Sequence, residues 1–224
     1  ESACEHFSEL EVELKQGVPQ ALFEFAHRVT RTVPCRLAAQ YKADRGFRLA
    51  DPPASPWVKA RTVALRRKMT AEEGFIQVFL DSLRSVRQNE QFVLEAGHPE
   101  AVHQLRVGLR RLRSLLQVYR ANLPVQHYRR FNRELRWIGE RGGAVRDWDV
   151  FIEETLGALR DAYGQSHQGL AALGERAAAE RSHAQGSLTR ALRSARYTRC
   201  LLRLLQWVQQ RQWREQPVSE DSAA

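Results

Sequence analysis

From Thr70 to Trp213 the apolar residues return at three- and four-residue spacing, a period that confines this stretch to amphipathic helices packed on one another. Thr70-Ala-Glu-Glu73 fits a capping box, followed at helical spacing by Phe75, Ile76, Phe79 and Leu83. A second helix is predicted from Pro99 to about Tyr119. A third runs from about Val125 to Ile138, where Gly139, Gly142 and Gly143 are expected to break the chain. A further helix carries Trp148, Val150, Phe151 and Leu156. Residues 166 to 193 form a long, more polar helix, and Tyr197 to Trp213 a last amphipathic one. The tail after Pro217 is expected to be disordered.

The N-terminal part reads differently. Leu10, Val12 and Leu14 alternate with Glu9, Glu11, Glu13 and Lys15, the period of a half-buried strand over residues 6 to 15. Gly17 and Pro19 then lead into a helix ending near Val33, closed by Pro34. Residues 38 to 49 are read as another strand before the proline-rich stretch Asp51 to Pro56. The expected organisation is therefore an α+β segment over 1–50, a linker over 51–69 and a helical domain over 70–224.

A chain of 224 residues with 43% hydrophobic content can fill a sizeable core. Its formal net charge of +9 favours anionic partners. The positive charge is mostly arginine, whose planar fork of donors matches phosphate oxygens, whereas lysine is a hydrated point charge. Cys4, Cys35 and Cys200 show no CxxC spacing, so neither a disulfide framework nor a zinc site is indicated. No apolar run approaches the roughly 20 residues of a membrane helix and the first residues lack signal-peptide character, so a cytoplasmic protein is expected, with no membrane partner.

The charge is concentrated in one segment. On a helix turning about 100° per residue, Leu105, Gly108, Leu109, Leu112, Leu115, Leu116 and Tyr119 share a core-facing side. His103, Arg106, Arg110 and Arg113 cluster beside it within roughly an 80° sector. Arg129, Arg133 and Arg136 repeat the arrangement on the next helix, and Arg146 follows the glycines. Between His98 and Arg146 the only acids are Glu100, Glu134 and Glu140, too few to neutralise the arginines locally. Like charges at i, i+3 and i, i+4 disfavour a helix by about a few tenths of a kcal/mol per pair, so a compensating anion is expected. Two antiparallel basic stripes would form a groove for a polyanion, with Asp147 and Asp149 able to orient neighbouring guanidinium groups. The competing reading is a solvated basic face. Nucleic acid is the less favoured polyanion: zinc-finger spacing and an RNP-type aromatic run are absent, and Trp137 and Trp148 fall in patterns that suggest core packing.

The run His103-Gln-Leu-Arg-Val-Gly-Leu-Arg-Arg-Leu-Arg113, then Leu135-Arg-Trp-Ile-Gly139 and Arg146-Asp-Trp-Asp-Val150, closely resembles the histidine-containing helical domain called CHAD. The resemblance implies two related four-helix bundles and binding of inorganic polyphosphate through basic residues lining a central groove or pore, without a cofactor. By position it assigns phosphate contacts to His103, Arg106, Arg110 and Arg113, with Arg136 and Arg146 as additions; Arg129 and Arg133 are added from the helical wheel. Residues 70 to 224 correspond to the first bundle and the opening of the second, Leu192 to Leu202 resembling the junction. It also makes association with polyphosphate granules an expectation.

Phe7 to Gly17 and Tyr41 to Phe47 look like the end of a CYTH domain, the β-tunnel of metal-dependent triphosphatases, and the two domains occur fused in bacteria. The chain is thus expected to be part of such a fusion and not catalytic by itself, the triphosphatase activity being the alternative function. In a complete tunnel Glu9, Glu11 and Glu13 would hold Mg²⁺ or Mn²⁺ through their oxygens.

Overall fold

The computed structural model describes residues 6–38, 42–51, 55–164 and 167–214. Among these residues the regular structure is entirely helical. Helices α1 (Gln20–Thr32) and α2 (Lys42–Ala50) precede the main body. That body is built from α3 (Ala71–Glu95), α4 (Pro99–Val118), α5 (Val125–Val150), α6 (Gly157–Tyr163), α7 (Gln168–Leu192) and α8 (Ala195–Gln209).

Local chemistry explains where the main helices start. Thr70 accepts from the Glu73 amide at 3.2 Å while the Glu73 carboxylate accepts from the Thr70 amide at 2.8 Å, the reciprocal capping box read from the sequence. Pro99 occupies the first turn of α4, and His98 caps it by accepting from the Glu100 amide at 3.2 Å. The turn between α3 and α4 bends at Gly97, whose φ of 59° is strained for any side chain.

Helices α3, α4, α5 and α7 pack as a four-helix bundle in which each touches the next and α7 closes back on α3. Two side chains of α7 make the closure: Gln185 donates to the Val93 carbonyl at 3.0 Å and Arg181 to the Gly97 carbonyl at 2.8 Å. The apolar stripe of α4 faces the core, with Leu105, Leu112 and Leu116 inaccessible to solvent and Leu115 and Tyr119 partly buried. Helix α8 plugs one end of the bundle with Trp207, whose ring lies 5.0 Å from Phe131 and 5.9 Å from Phe75, contacts within the range of favourable edge and tilted aromatic pairs.

Within residues 55–69 the backbone is held against the bundle by side chains of α3 and α4. Asn89, itself buried, holds the backbone of Val58 in both directions at 2.9 Å, and Gln104 accepts from the Ala60 amide at 3.1 Å. An extended segment without strand neighbours satisfies its polar groups this way.

Three sequence expectations are corrected. Residues 6–15 form no strand: alternation produces one only where another strand takes up its N–H and C=O groups, and none does so among the described residues, leaving Leu10 65% exposed. The strand expected over 38–49 is instead helical from Lys42 to Ala50, while residues 39–41 lie outside the described residues. The chain also does not break at Gly139, Gly142 and Gly143. Helix α5 runs through them and continues by a π-helical turn, Phe151–Leu156, into α6. A helical glycine costs roughly 1 kcal/mol against alanine, but burial of Ile138 and Val145 on either side outweighs that. The tail expected to be disordered after Pro217 lies outside the described residues.

Candidate functional site

Helices α4 and α5 run antiparallel, and two contacts fix their register. Arg113 Nε donates to Asn132 Oδ1 at 3.1 Å, and a Cβ placed on Gly142 would lie 3.1 Å from Arg106 Cγ. The missing side chain at Gly142 is therefore what lets the stem of Arg106 lie against α5. This register sets Arg110 about level with Arg136 and His103 about level with Arg146, to within about one turn. The opposite flank of α4 serves structure: Gly108 packs on Val86 of α3, and Arg111 donates to the Arg61 carbonyl at 3.1 Å.

The two basic stripes thus meet along the α4–α5 seam, but not with all members. Asn132, Arg136, Gly139, Gly143 and Arg146 fall on the flank of α5 that faces α4. Over Gly139 and Gly143 an added Cβ would meet nothing within 4 Å, so the floor there is open. Arg129 stands further round and exposed. Arg133 turns away toward Glu134 at 3.4 Å, and Glu134 also holds Arg196 of α8 at 2.7 Å. Burial alone would raise the Glu134 carboxyl, but hydrogen bonds and charge from Arg196 and then Arg133 together keep it below its ordinary value.

Charge pairing separates the remaining candidates. Arg106, Arg110 and Arg129 have no ion pair and His103 no hydrogen bond among the described residues. Arg113 has a neutral amide as partner. Arg136 is paired with Glu140 at 2.6 Å, and Arg146, with its side chain 20% exposed, with Glu153 at 3.5 Å. An exposed pair such as Arg136–Glu140 contributes about 0–1 kcal/mol and exchanges readily for a better anion, and Glu153, the partner of the half-buried Arg146, is itself exposed. Bidentate guanidinium contacts to phosphate are stronger and geometrically specific.

Some expected roles fall elsewhere. Asp149 does hold a guanidinium, but away from the seam: it is buried at 2% exposure and accepts from Arg181 Nε of α7 at 2.6 Å, a structural pair. Asn132, and the place of Gly139 and Gly143 in the floor, are not legible in the sequence, because the signal for them is the antiparallel register itself. In the N-terminal segment Glu11 pairs with Lys42 at 3.7 Å and Glu13 with Lys15 at 2.6 Å. Among the described residues no group of three or more His, Cys, Asp or Glu side chains is placed to hold a metal ion, so Glu9, Glu11 and Glu13 do not form one here. No helix among the described residues is long and apolar enough to cross a membrane.

Comparison with known proteins agrees with this architecture. The family model for the CHAD domain matches residues 77–224. The crystal structure of the CHAD domain from the plant Ricinus communis is similar at 31% identity and a TM-score of 0.60, over 69% of this chain. The match spans 50% of that plant chain, so this chain corresponds to about half its length. No curated protein matches the chain.

Proposed function

The chain belongs to the CHAD domain family, and on that premise we propose that the α4–α5 seam binds inorganic polyphosphate. The observation that carries the reading is the pairing pattern. Among the described residues Arg106 and Arg110 stand without a carboxylate partner beside an open floor, opposite Arg136 and Arg146, whose acidic partners are exposed. A linear polyanion lying along the seam would engage successive guanidinium forks, with Arg113 at one end and His103 at the other donating from an imidazole nitrogen. Each fork releases condensed counterions from the polymer, so affinity falls as salt rises, by analogy with nucleic acids. The few exposed aromatic groups argue against a single-stranded nucleic acid, which needs stacking platforms.

The test is calorimetric titration with long-chain polyphosphate at two salt concentrations, with duplex DNA as competitor. Arg106→Gln/Arg110→Gln is expected to weaken binding by about tenfold or more and to flatten the salt slope by about one per lost contact. Unchanged affinity in that variant, or equal affinity for DNA, refutes the groove. Binding of this kind would tether an attached domain to polyphosphate or to polyphosphate granules.

A further inference from the structure

Helix α5 has a second charged flank. Residues 132 and 134 are about 200° apart on the helix and bond in opposite directions, Asn132 to Arg113 of α4 and Glu134 to Arg196 of α8. On the α8 side, helix α1 closes over the pair, and α1 lies outside the family match at 77–224. His27 of α1 donates to Gln206 Oε1 at 3.0 Å, and Thr198 of α8 donates to the Cys35 carbonyl at 2.9 Å.

Between these three helices lies a cavity of about 260 Å³, lined by Arg31 of α1, Arg130 and Glu134 of α5, and Arg196, Arg199 and Arg203 of α8. It adjoins a second of about 420 Å³ that shares Arg31 and Arg203. Glu24 at the second cavity accepts from Gln20 at 2.7 Å, and Arg28 there lies over the Phe25 ring.

The charges do not balance. Among the described residues Glu134 is the one carboxylate lining the first cavity, and it is already taken by Arg196 and Arg133. Arg196 is further fixed over the Trp137 ring at 4.0 Å. Arg31, Arg130, Arg199 and Arg203 have no ion pair or hydrogen bond among the described residues. Burial first, and then repulsion from Arg130 and Arg199, lower the pKa of Arg203. Arg31, Arg130 and Arg203 are exposed and Arg199 is half-buried, so the space is open to solvent. Here segments distant in sequence bring four guanidinium groups to one concave space.

We propose that this cavity is a second anion site, which takes a compact di- or triphosphate group held by Arg31, Arg130, Arg199 and Arg203. Four fork-shaped donors around a space of this size suit a small, densely charged phosphoryl chain better than a carboxylate of lower charge. The site lies across α5 from the seam and does not rest on the polyphosphate reading.

Calorimetry with sodium pyrophosphate, ATP and long-chain polyphosphate at fixed ionic strength tests it on the whole chain. The variants are Arg199→Gln/Arg203→Gln and Arg106→Gln/Arg110→Gln. The first is expected to lose about tenfold or more in pyrophosphate affinity, while the second keeps it. ATP binding tighter than pyrophosphate assigns the phosphates to a nucleotide, and equal or weaker binding to a free inorganic chain; either supports the site. No binding of pyrophosphate or ATP by the unsubstituted chain, or equal affinity in Arg199→Gln/Arg203→Gln, overturns it. Loss of polyphosphate in the second variant reports on the seam separately. Thermal melts guard against misfolding. Removing the repulsion leaves the unliganded variant at least as stable, and only the unsubstituted chain gains stability with pyrophosphate. A less stable variant that keeps the full pyrophosphate shift marks the arginines as structural and also overturns the site.

Discussion

Arg113 on α4 and Asn132 on α5 are joined across the seam at 3.1 Å, a cation held by a neutral amide at the end of a stripe of unpaired arginines. The amide orients the guanidinium without cancelling its charge. A carboxylate at this position would satisfy the same geometry and remove the positive potential that the proposed polyanion needs.

Asn132→Asp separates those effects. The variant is expected to be unchanged or more stable by up to about 1 kcal/mol, as an exposed ion pair allows, and to bind polyphosphate several-fold more weakly. Thermal unfolding and calorimetry on one preparation check both. Undiminished binding would show that Arg113 takes no part.

Gly108 lets α4 approach α3 closely. A Cβ there would stand 2.7 Å from Val86 Cγ2 and 3.2 Å from the Ser82 carbonyl. Gly108→Ala is therefore expected to destabilise the bundle by about 1–3 kcal/mol despite its gain in helix propensity. Adding Val86→Ala should recover part of the clash component, read as a non-additive double-mutant cycle in denaturant unfolding.

Glu90 is buried between α3 and α8, where it accepts from the Tyr197 hydroxyl at 3.1 Å and faces Arg87 and Arg36. Burial dominates over those partners and pushes its carboxyl up to about 7. The folded state then holds a proton that the unfolded state has released. The stabilising contribution is complete below the unfolded pKa of about 4.5 and disappears as pH rises to about 7. Glu90→Gln lacks this dependence. Its melting temperature relative to the unsubstituted chain should rise from pH 4.5 to pH 7 and level off above; a flat difference would contradict the assignment.

Asp149 depends on one partner. Its Oδ1 accepts from Arg181 at 2.6 Å and its Oδ2 is buried without a hydrogen bond among the described residues. Arg181→Met strands that carboxylate and also frees the Gly97 carbonyl, so a loss of about 3–5 kcal/mol is expected. Arg181→Met/Asp149→Leu should lose much less, because the buried charge goes with its partner. Chemical denaturation of the pair of variants decides it.

The sequence by itself determined what a single helix can determine. The capping box at Thr70, the entry at Pro99, the buried stripe of Leu105, Leu109, Leu112 and Leu116, and the basic edge beside it all follow from neighbours three or four residues apart, because helical hydrogen bonds and facing side chains are local. Tertiary structure decided the rest. Alternation over residues 6–15 made no strand, since a ladder needs a distant partner. Helix α5 continued through Gly142 because Ile138 and Val145 on either side are buried, and the bare glycine lets Arg106 of α4 lie against it. Arg133 shares its wheel sector with Arg136 yet pairs toward α8, and Asp149 found Arg181 in place of its sequence neighbour Arg146. In each case the outcome rests on which surfaces meet once the apolar faces are buried, and that choice belongs to the whole bundle.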